Sequence, residues 1–217
     1  IKTIQTMPKL SLAGAFEAEG HAAIGRDAGE ICGLGRLGIP ISAGLAPVLA
    51  RGDVLIDFTF HKASIEFARQ AAKRGLPCVH AANMAVGVNV LFKLVEKTAH
   101  ILGNAYDVEI VEAHHRMKKD APSGTAITLG KMAAAGLGRN FDEVAVKERN
   151  GIIGVRTDQE IGIQSIRGGD IVGEHTVYFA GTGERLEIGH RATSRDNFAR
   201  GAALAAALEL GKDTTHP

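Results

Sequence analysis

Imidazole, guanidinium and ammonium groups crowd into the run His114-His115-Arg116-Met117-Lys118-Lys119, and Pro122-Ser123-Gly124-Thr125 follows close behind. A histidine exchanges a proton near neutral pH, which suits it to general acid and base work. Ser-Gly-Thr at a helix start offers unpaired backbone N–H groups and the positive end of the helix dipole, and glycine lets a ligand come close to the main chain. A proton donor, cations and an anion cradle together describe a site for a carboxylate substrate. Taken singly, each residue has a plainer reading, the histidines as surface residues and Ser123 as an ordinary helix cap. The combination favours a site.

The flanking segments must place these groups. Asp107-Val108-Glu109-Ile110-Val111-Glu112 alternates polar and apolar residues and is rich in β-branched side chains, so it predicts a strand with His114 at its end. Pro122 ends any extended run, and Ala126, Leu129, Met132 and Ala133 recur at helical spacing, so Ser123, Gly124 and Thr125 form the first turn of a helix.

Earlier in the chain, Leu10 to Phe16 reads as a short buried strand ending at Glu17, and the glycine-rich stretch from Gly20 to Ser42 reads as a long surface excursion. Val54 to Thr59 predicts a buried strand, Ile65, Ala68 and Ala72 a helical face stopped at Gly75, and Leu76 to Val79 a further strand. That is a β-α-β unit of a parallel sheet, in which ligands bind beyond the carboxyl ends of the strands, here at Thr59 and Phe60. Val90, Leu91, Leu94, Val95 and Leu102 predict a helical core face ended by Gly103. After the signature helix, strands are expected at Phe141 to Val146, Glu160 to Ile166, His175 to Phe179 and Arg185 to Ile188, the last two joined as a hairpin through Gly181-Thr182-Gly183. An Ala-rich helix from Asn197 to Leu210 stops at Gly211.

At 217 residues the chain can form one large domain or two small ones, and 45% hydrophobic residues without an apolar run near the length of a membrane span predict a soluble globular protein. No signal peptide is visible. With 25 basic against 24 acidic residues there is no broad field for nucleic acid or a membrane surface, so anion selectivity must be local. Cys32 and Cys78 stand far apart outside any CxxC pattern and read as reduced thiols of a cytoplasmic protein.

A metal site assembled from His114, His115, Glu174, His175 and His190 is disfavoured: no HExxH pattern occurs, and Lys118 would repel a cation. Nucleophilic catalysis is weaker still, without a GxSxG elbow or an activated cysteine. Arg167 and Arg195 are candidates to support the substrate region, with surface ion pairs as their alternative.

The run Glu112-Ala113-His114-His115-Arg116-Met117-Lys118-Lys119-Asp120-Ala121-Pro122-Ser123-Gly124-Thr125-Ala126 resembles the signature of the bacterial dihydrodipicolinate (4-hydroxy-tetrahydrodipicolinate) reductase family. The resemblance continues in Ala81 to Asn89, Arg167 to Thr176 and Gly183 to Glu187, and covers nearly the whole chain. It implies an α/β fold: a Rossmann-like dinucleotide-binding domain over 1–84 and 196–217, with an inserted α+β domain over 85–195 that binds substrate, carries an open mixed sheet and builds a homotetramer. It implies hydride transfer from NADH or NADPH to a cyclic dicarboxylate of diaminopimelate and lysine biosynthesis, and no metal. By the same resemblance His114 is the acid and Lys118 holds or protonates substrate. His115, Gly124 and Thr125 then bind its carboxylates, while Glu17, Ala81, Ala82, Asn83 and Met84 serve the cofactor. Some relatives follow the acid at the Glu17 position with an arginine that pairs a 2′-phosphate. Ala18 stands there, so NADH is favoured over NADPH. The resemblance also places a Gly-x-Gly-x-x-Gly stretch before Leu10 and a Gly-Thr-Thr-Gly segment near Pro77 to Val79, and this sequence has neither. Two other readings stay open: a different dinucleotide-linked enzyme such as an amino-acid dehydrogenase, which needs no His-His-Arg-x-Lys loop, and a non-catalytic nucleotide sensor.

Overall fold

Local signals for helix starts and strand alternation account for most of the elements in the computed structural model, which describes residues 1–211. The chain separates into two compact units, Ile1–Ala81 with the residues from Ala199 on, and Ala82–Phe198. The expected boundaries lie a few residues away, after 84 and before 196, and residues 212–217 of the expected first domain lie outside the described residues.

The first unit opens with the helical turn α1 (Lys2–Gln5), followed by β1 (Ala15–Glu17), α2 (Ala28–Ile31), β2 (Ile41–Ala43), β3 (Leu55–Ile56), α3 (His61–Lys73) and β4 (Cys78–Val79). β1 pairs with β2 and β3 with β4, both in parallel, so α3 is the crossover of the β-α-β unit that its flanking strands predict. The stretch from Gly20 to Ser42 is not a bare excursion. Asp27 caps α2 by accepting from the N–H groups of Gly29 and Glu30 at 2.9 and 3.2 Å, and it also accepts from Leu37 and Ile39. One aspartate thereby folds the segment back, and Ala23, Ala28 and Ile41 pack together as a small core. The face of α3 is rotated from the expected one: Ser64 and Ala71 are buried while Ile65 is exposed.

The second unit contains α4 (Val86–Leu102), β5 (Asp107–His114), α5 (Gly124–Gly136), α6 (Phe141–Val144), β6 (Ala145–Val146), β7 (Ile161–Arg167), β8 (Gly173–Gly181) and β9 (Glu184–Ala192). α7 (Asp196–Glu209) starts here and ends in the first unit. The sheet order is β6-β7-β5-β8-β9, parallel from β6 to β5 and antiparallel beyond, hence mixed. β8 and β9 turn over Thr182-Gly183, where a φ of +81° at Gly183 suits glycine.

Helices α4 and α5 pack on one face of the sheet, where Val108, Ile110, Leu129, Ile161, Ile163, Val177 and Phe179 are fully buried, each such side chain contributing about 1.5–3 kcal/mol. In α4 the buried positions are Val88, Leu91, Val95 and Ala99, so the expected face is corrected: Val90 and Leu94 point away and are exposed. Phe141 to Val144 is helical rather than a strand, because Asn140 caps it by accepting from Asp142 N–H at 3.2 Å, and Asp142 and Glu143 suit the positive first turn. Only Ala145 and Val146 of that run join the sheet. Among the described residues no helix is long and apolar enough to cross a membrane.

Candidate functional site

Alternation along β5 sends Glu112 and His114 to the same, helix-covered side of the sheet, where they are 0% and 9% exposed. His114 Nδ1 lies 2.5 Å from Glu112 Oε2. Arg167, at the end of the neighbouring β7, grips the same carboxylate with both terminal nitrogens, at 2.8 Å to Oε2 and 2.7 Å to Oε1. Ser123 N–H donates to Oε1 at 3.1 Å, which ties the carboxylate to the start of α5. Burial pushes the Glu112 carboxyl up, but hydrogen bonds from His114 and Arg167 outweigh it and hold the group well below the usual carboxylate range. Glu112 is therefore ionised and acts as an acceptor toward the groups around it.

The start of α5 is fixed by side chains from β5, β8 and the segment before α4. Ser123 is its N-cap, accepting from Ala126 N–H at 3.2 Å, and its hydroxyl meets His175 Nε2 at 3.1 Å. A Cβ placed on Gly124 would meet only the Cβ of Ala82, at 3.8 Å, leaving the backbone there open to a ligand. Thr125 Oγ1 accepts from Asn83 Nδ2 at 3.1 Å, and Asn83 in turn accepts from Ala85 N–H at 2.9 Å. In the loop between strand and helix, His115 Nε2 lies 3.0 Å from Arg195, and Lys118 pairs with Asp120 at 2.9 Å. Lys118 is about one-fifth exposed. Arg167 also donates to the Asp120 carbonyl at 2.7 Å, pinning the loop to the strands.

The second unit thus brings together His114, His115, Lys118, Gly124, Thr125 and Asn83, whereas Glu17 closes β1 in the first unit as an exposed acid. Ala81 ends the first unit, and Ala82 and Met84 belong to the second. Glu112 had been legible only as a strand residue. Its signal was the i, i+2 relation to His114, which puts both on one face of a strand. Arg167 resolves in favour of the site, because its partner is this buried carboxylate and not a surface acid.

His175, on β8, packs edge-to-face against His114 with ring centroids 5.1 Å apart. Burial first, and then the neighbouring His114, push its pKa down to about 4, so it is neutral at pH 7. A histidine depressed in the folded state binds its proton more readily in the unfolded chain. Stability from this group is therefore complete above about pH 6.5 and is lost as pH falls toward 4, by about 3 kcal/mol. The melting temperature should drop through that window, and His175→Asn should flatten the drop. An equally steep curve in the variant would assign it to other groups.

Residues 1–82 match the family model described as dihydrodipicolinate reductase, N-terminus, and residues 87–216 match that for the C-terminus. A relative from Desulfotalea psychrophila, named 4-hydroxy-tetrahydrodipicolinate reductase, is 56% identical over 234 aligned positions, covering 97% of this chain and 87% of the relative. One of the same name from Syntrophobacter fumaroxidans is 53% identical, covering 91% of this chain and 83% of the relative. The 234 aligned positions exceed the 217 residues of this chain, so the Desulfotalea protein carries residues inside the matched span that have no counterpart here. A dipicolinate-bound dihydrodipicolinate reductase from Paenisporosarcina sp. TG-14 shares the fold, with a TM-score of 0.63, 20% identity, and coverage of 94% of this chain and 86% of that one.

Proposed function

The chain belongs to the dihydrodipicolinate reductase family, and from that premise we propose that it reduces 4-hydroxy-tetrahydrodipicolinate to tetrahydrodipicolinate, the ring gaining a hydride and a proton and losing its 4-hydroxyl as water, a step of diaminopimelate and L-lysine biosynthesis. The observation that carries the reading is His114 held by buried Glu112 beside the open N-terminus of α5. Enzymes of this family take NAD(P)H through the Rossmann-like domain. The first unit fits such a group: its parallel strands β1 and β3 lead at their carboxyl ends to two acids, the exposed Glu17 and the buried Asp57, whose Oδ2 faces His80 Nδ1 at 3.3 Å. Bound NAD(P)H supplies the hydride.

The residues of the chain do the rest. Gly124, Thr125 and His115 take the substrate carboxylates, with the α5 N-terminus contributing backbone N–H groups and the dipole. Lys118 steadies negative charge as it grows on the ring, and His114 delivers a proton from Nε2. Asn83, tied to Thr125, links the segment that the resemblance gives to the cofactor with the residues that take the carboxylates. The experiment that tests the reading is an NADH oxidation assay with freshly generated substrate.

The cofactor preference follows from Glu17 and Ala18. A carboxylate accepts hydrogen bonds from ribose hydroxyls and repels a 2′-phosphate, so NADH should be the better cofactor, by a margin that solvent screening keeps small. Comparing kcat/KM and equilibrium binding for both cofactors, in wild type and Glu17→Ala, checks this. A preference for NADPH, or an unchanged ratio in the variant, would remove Glu17 as the discriminating residue.

A homotetramer working in the cytoplasm belongs to the same proposal. Its support is the sheet face opposite α4 and α5, where Val111, Ala113 and Tyr178 are only partly covered and Ile166 is 52% exposed. Burial against further copies would remove that apolar area from water. Light scattering should give a mass of four chains. A monomer at micromolar concentration would contradict it.

A further inference from the structure

A fully buried carboxylate is costly unless every oxygen is paired, and Glu112 meets that demand in an unusual way. Two strands and a helix start converge on it: His114 from its own strand β5, Arg167 from β7 and the Ser123 N–H from the start of α5. We infer that Glu112 is a positioning residue for the proton transfer. It fixes His114 as the tautomer protonated at Nδ1, so that Nε2 alone faces substrate, while Arg167 keeps the carboxylate from taking the proton itself.

The ring geometry carries this. With Nδ1 committed to Glu112 at 2.5 Å, Nε2 is the one nitrogen left to exchange a proton, and Gly173 on β8 brings only a hydrogen, not a side chain, up beside it. A Cβ on Gly173 would stand 3.1 Å from that nitrogen. Glu112 bonds the ring, Arg167 bonds that carboxylate and His175 packs on the ring, while His190 from β9 and Lys118 from the loop act on His175 behind it. His175 is neutral at pH 7, so the charges bonded next to the His114 ring are the Glu112 carboxylate and, through it, the Arg167 guanidinium. The same carboxylate also holds Ser123, so the proton donor and the anion cradle are registered to one another through a single side chain.

Opposite signs make the test. The general acid must be protonated, so activity falls on the alkaline limb of the kcat profile. Glu112→Gln removes the anion and should move that limb to lower pH by about one unit or more, with kcat at neutral pH down by about tenfold or more. Arg167→Met removes the competing cation and should move the limb to higher pH. Gly173→Ala should lower kcat without moving it. A purely structural role would reduce kcat in the first two variants with the limb unmoved.

The inference rests on His114 being the acid, and a second measurement separates the two. Nitrogen-15 spectra of the histidine rings in the intact free protein, with His114 assigned by its absence in His114→Gln, report the tautomer without any turnover. A neutral His114 protonated at Nδ1 supports the role of Glu112. Protonation at Nε2, or an unmoved limb in Glu112→Gln, overturns it. Full activity in His114→Gln would instead remove the assignment of the acid while leaving the tautomer result standing. Should Glu112→Gln not fold, Arg167→Met and the wild-type spectrum still decide the matter.

Discussion

Replacing Lys118 with alanine should lower kcat/KM about a hundredfold and leave the fold intact. A charged hydrogen bond to developing negative charge is worth about 3 kcal/mol in the transition state, which corresponds to that factor. In the free protein the ammonium rests on Asp120 at 2.9 Å, and that carboxylate is 59% exposed. An ion pair so open to water contributes little to stability, so its loss should scarcely shift the melting temperature. Burial raises the Asp120 carboxyl, but the hydrogen bond from Lys118 outweighs it and keeps the group below its ordinary value, so the partner of Lys118 in the free protein is a carboxylate. Steady-state kinetics together with a thermal melt separate the effects. Wild-type kcat and KM in Lys118→Ala would mean the lysine is not in the site.

His114→Gln should cost more in kcat than in cofactor affinity. Removing a positioned acid typically lowers the rate about a hundredfold to ten-thousandfold. Glutamine fills much of the same space beside Glu112 but cannot replace the imidazole as a proton donor. NADH binding, measured by fluorescence in the absence of substrate, should stay within a small factor of wild type. Equal losses in kcat and NADH affinity would mark the histidine as structural.

Much of this arrangement could be read from the chain because local physics and tertiary structure agree there. The alternation from Asp107 to Glu112 and the Pro-Ser-Gly-Thr start of a helix each specify an element, and β5 and α5 form where they predict. Residues 141–144 went the other way because the helix signals Asn140, Asp142 and Glu143 overrode a short alternating run. The α4 face was misplaced because the helix is apolar over more than one side. Val90 and Leu94 have the same composition as Leu91 and Val95, and only the position of the sheet distinguishes them.

In the site, spacing exposed the histidines, lysines and helix start but not their partners. Arg167 reaches Glu112 across strands separated by more than fifty residues of sequence, and His175 reaches Ser123 in the same way. Such pairings follow from strand order, which no local pattern encodes. The i, i+2 relation of Glu112 and His114 was the one cross-check available within a single strand.

The central claim is that the His114 to Thr125 loop serves reduction of a cyclic dicarboxylate, and one measurement tests it most directly. The intact protein is given NADH and freshly generated 4-hydroxy-tetrahydrodipicolinate, and absorbance of the reduced nicotinamide is followed, with open-chain 2-oxo acids, alone and with ammonia, as parallel substrates. NADH oxidation that requires the cyclic dicarboxylate and collapses in Lys118→Ala and His114→Gln is the predicted result. Oxidation supported by the open-chain acids instead, or cofactor binding with no turnover of any of them, would contradict the account.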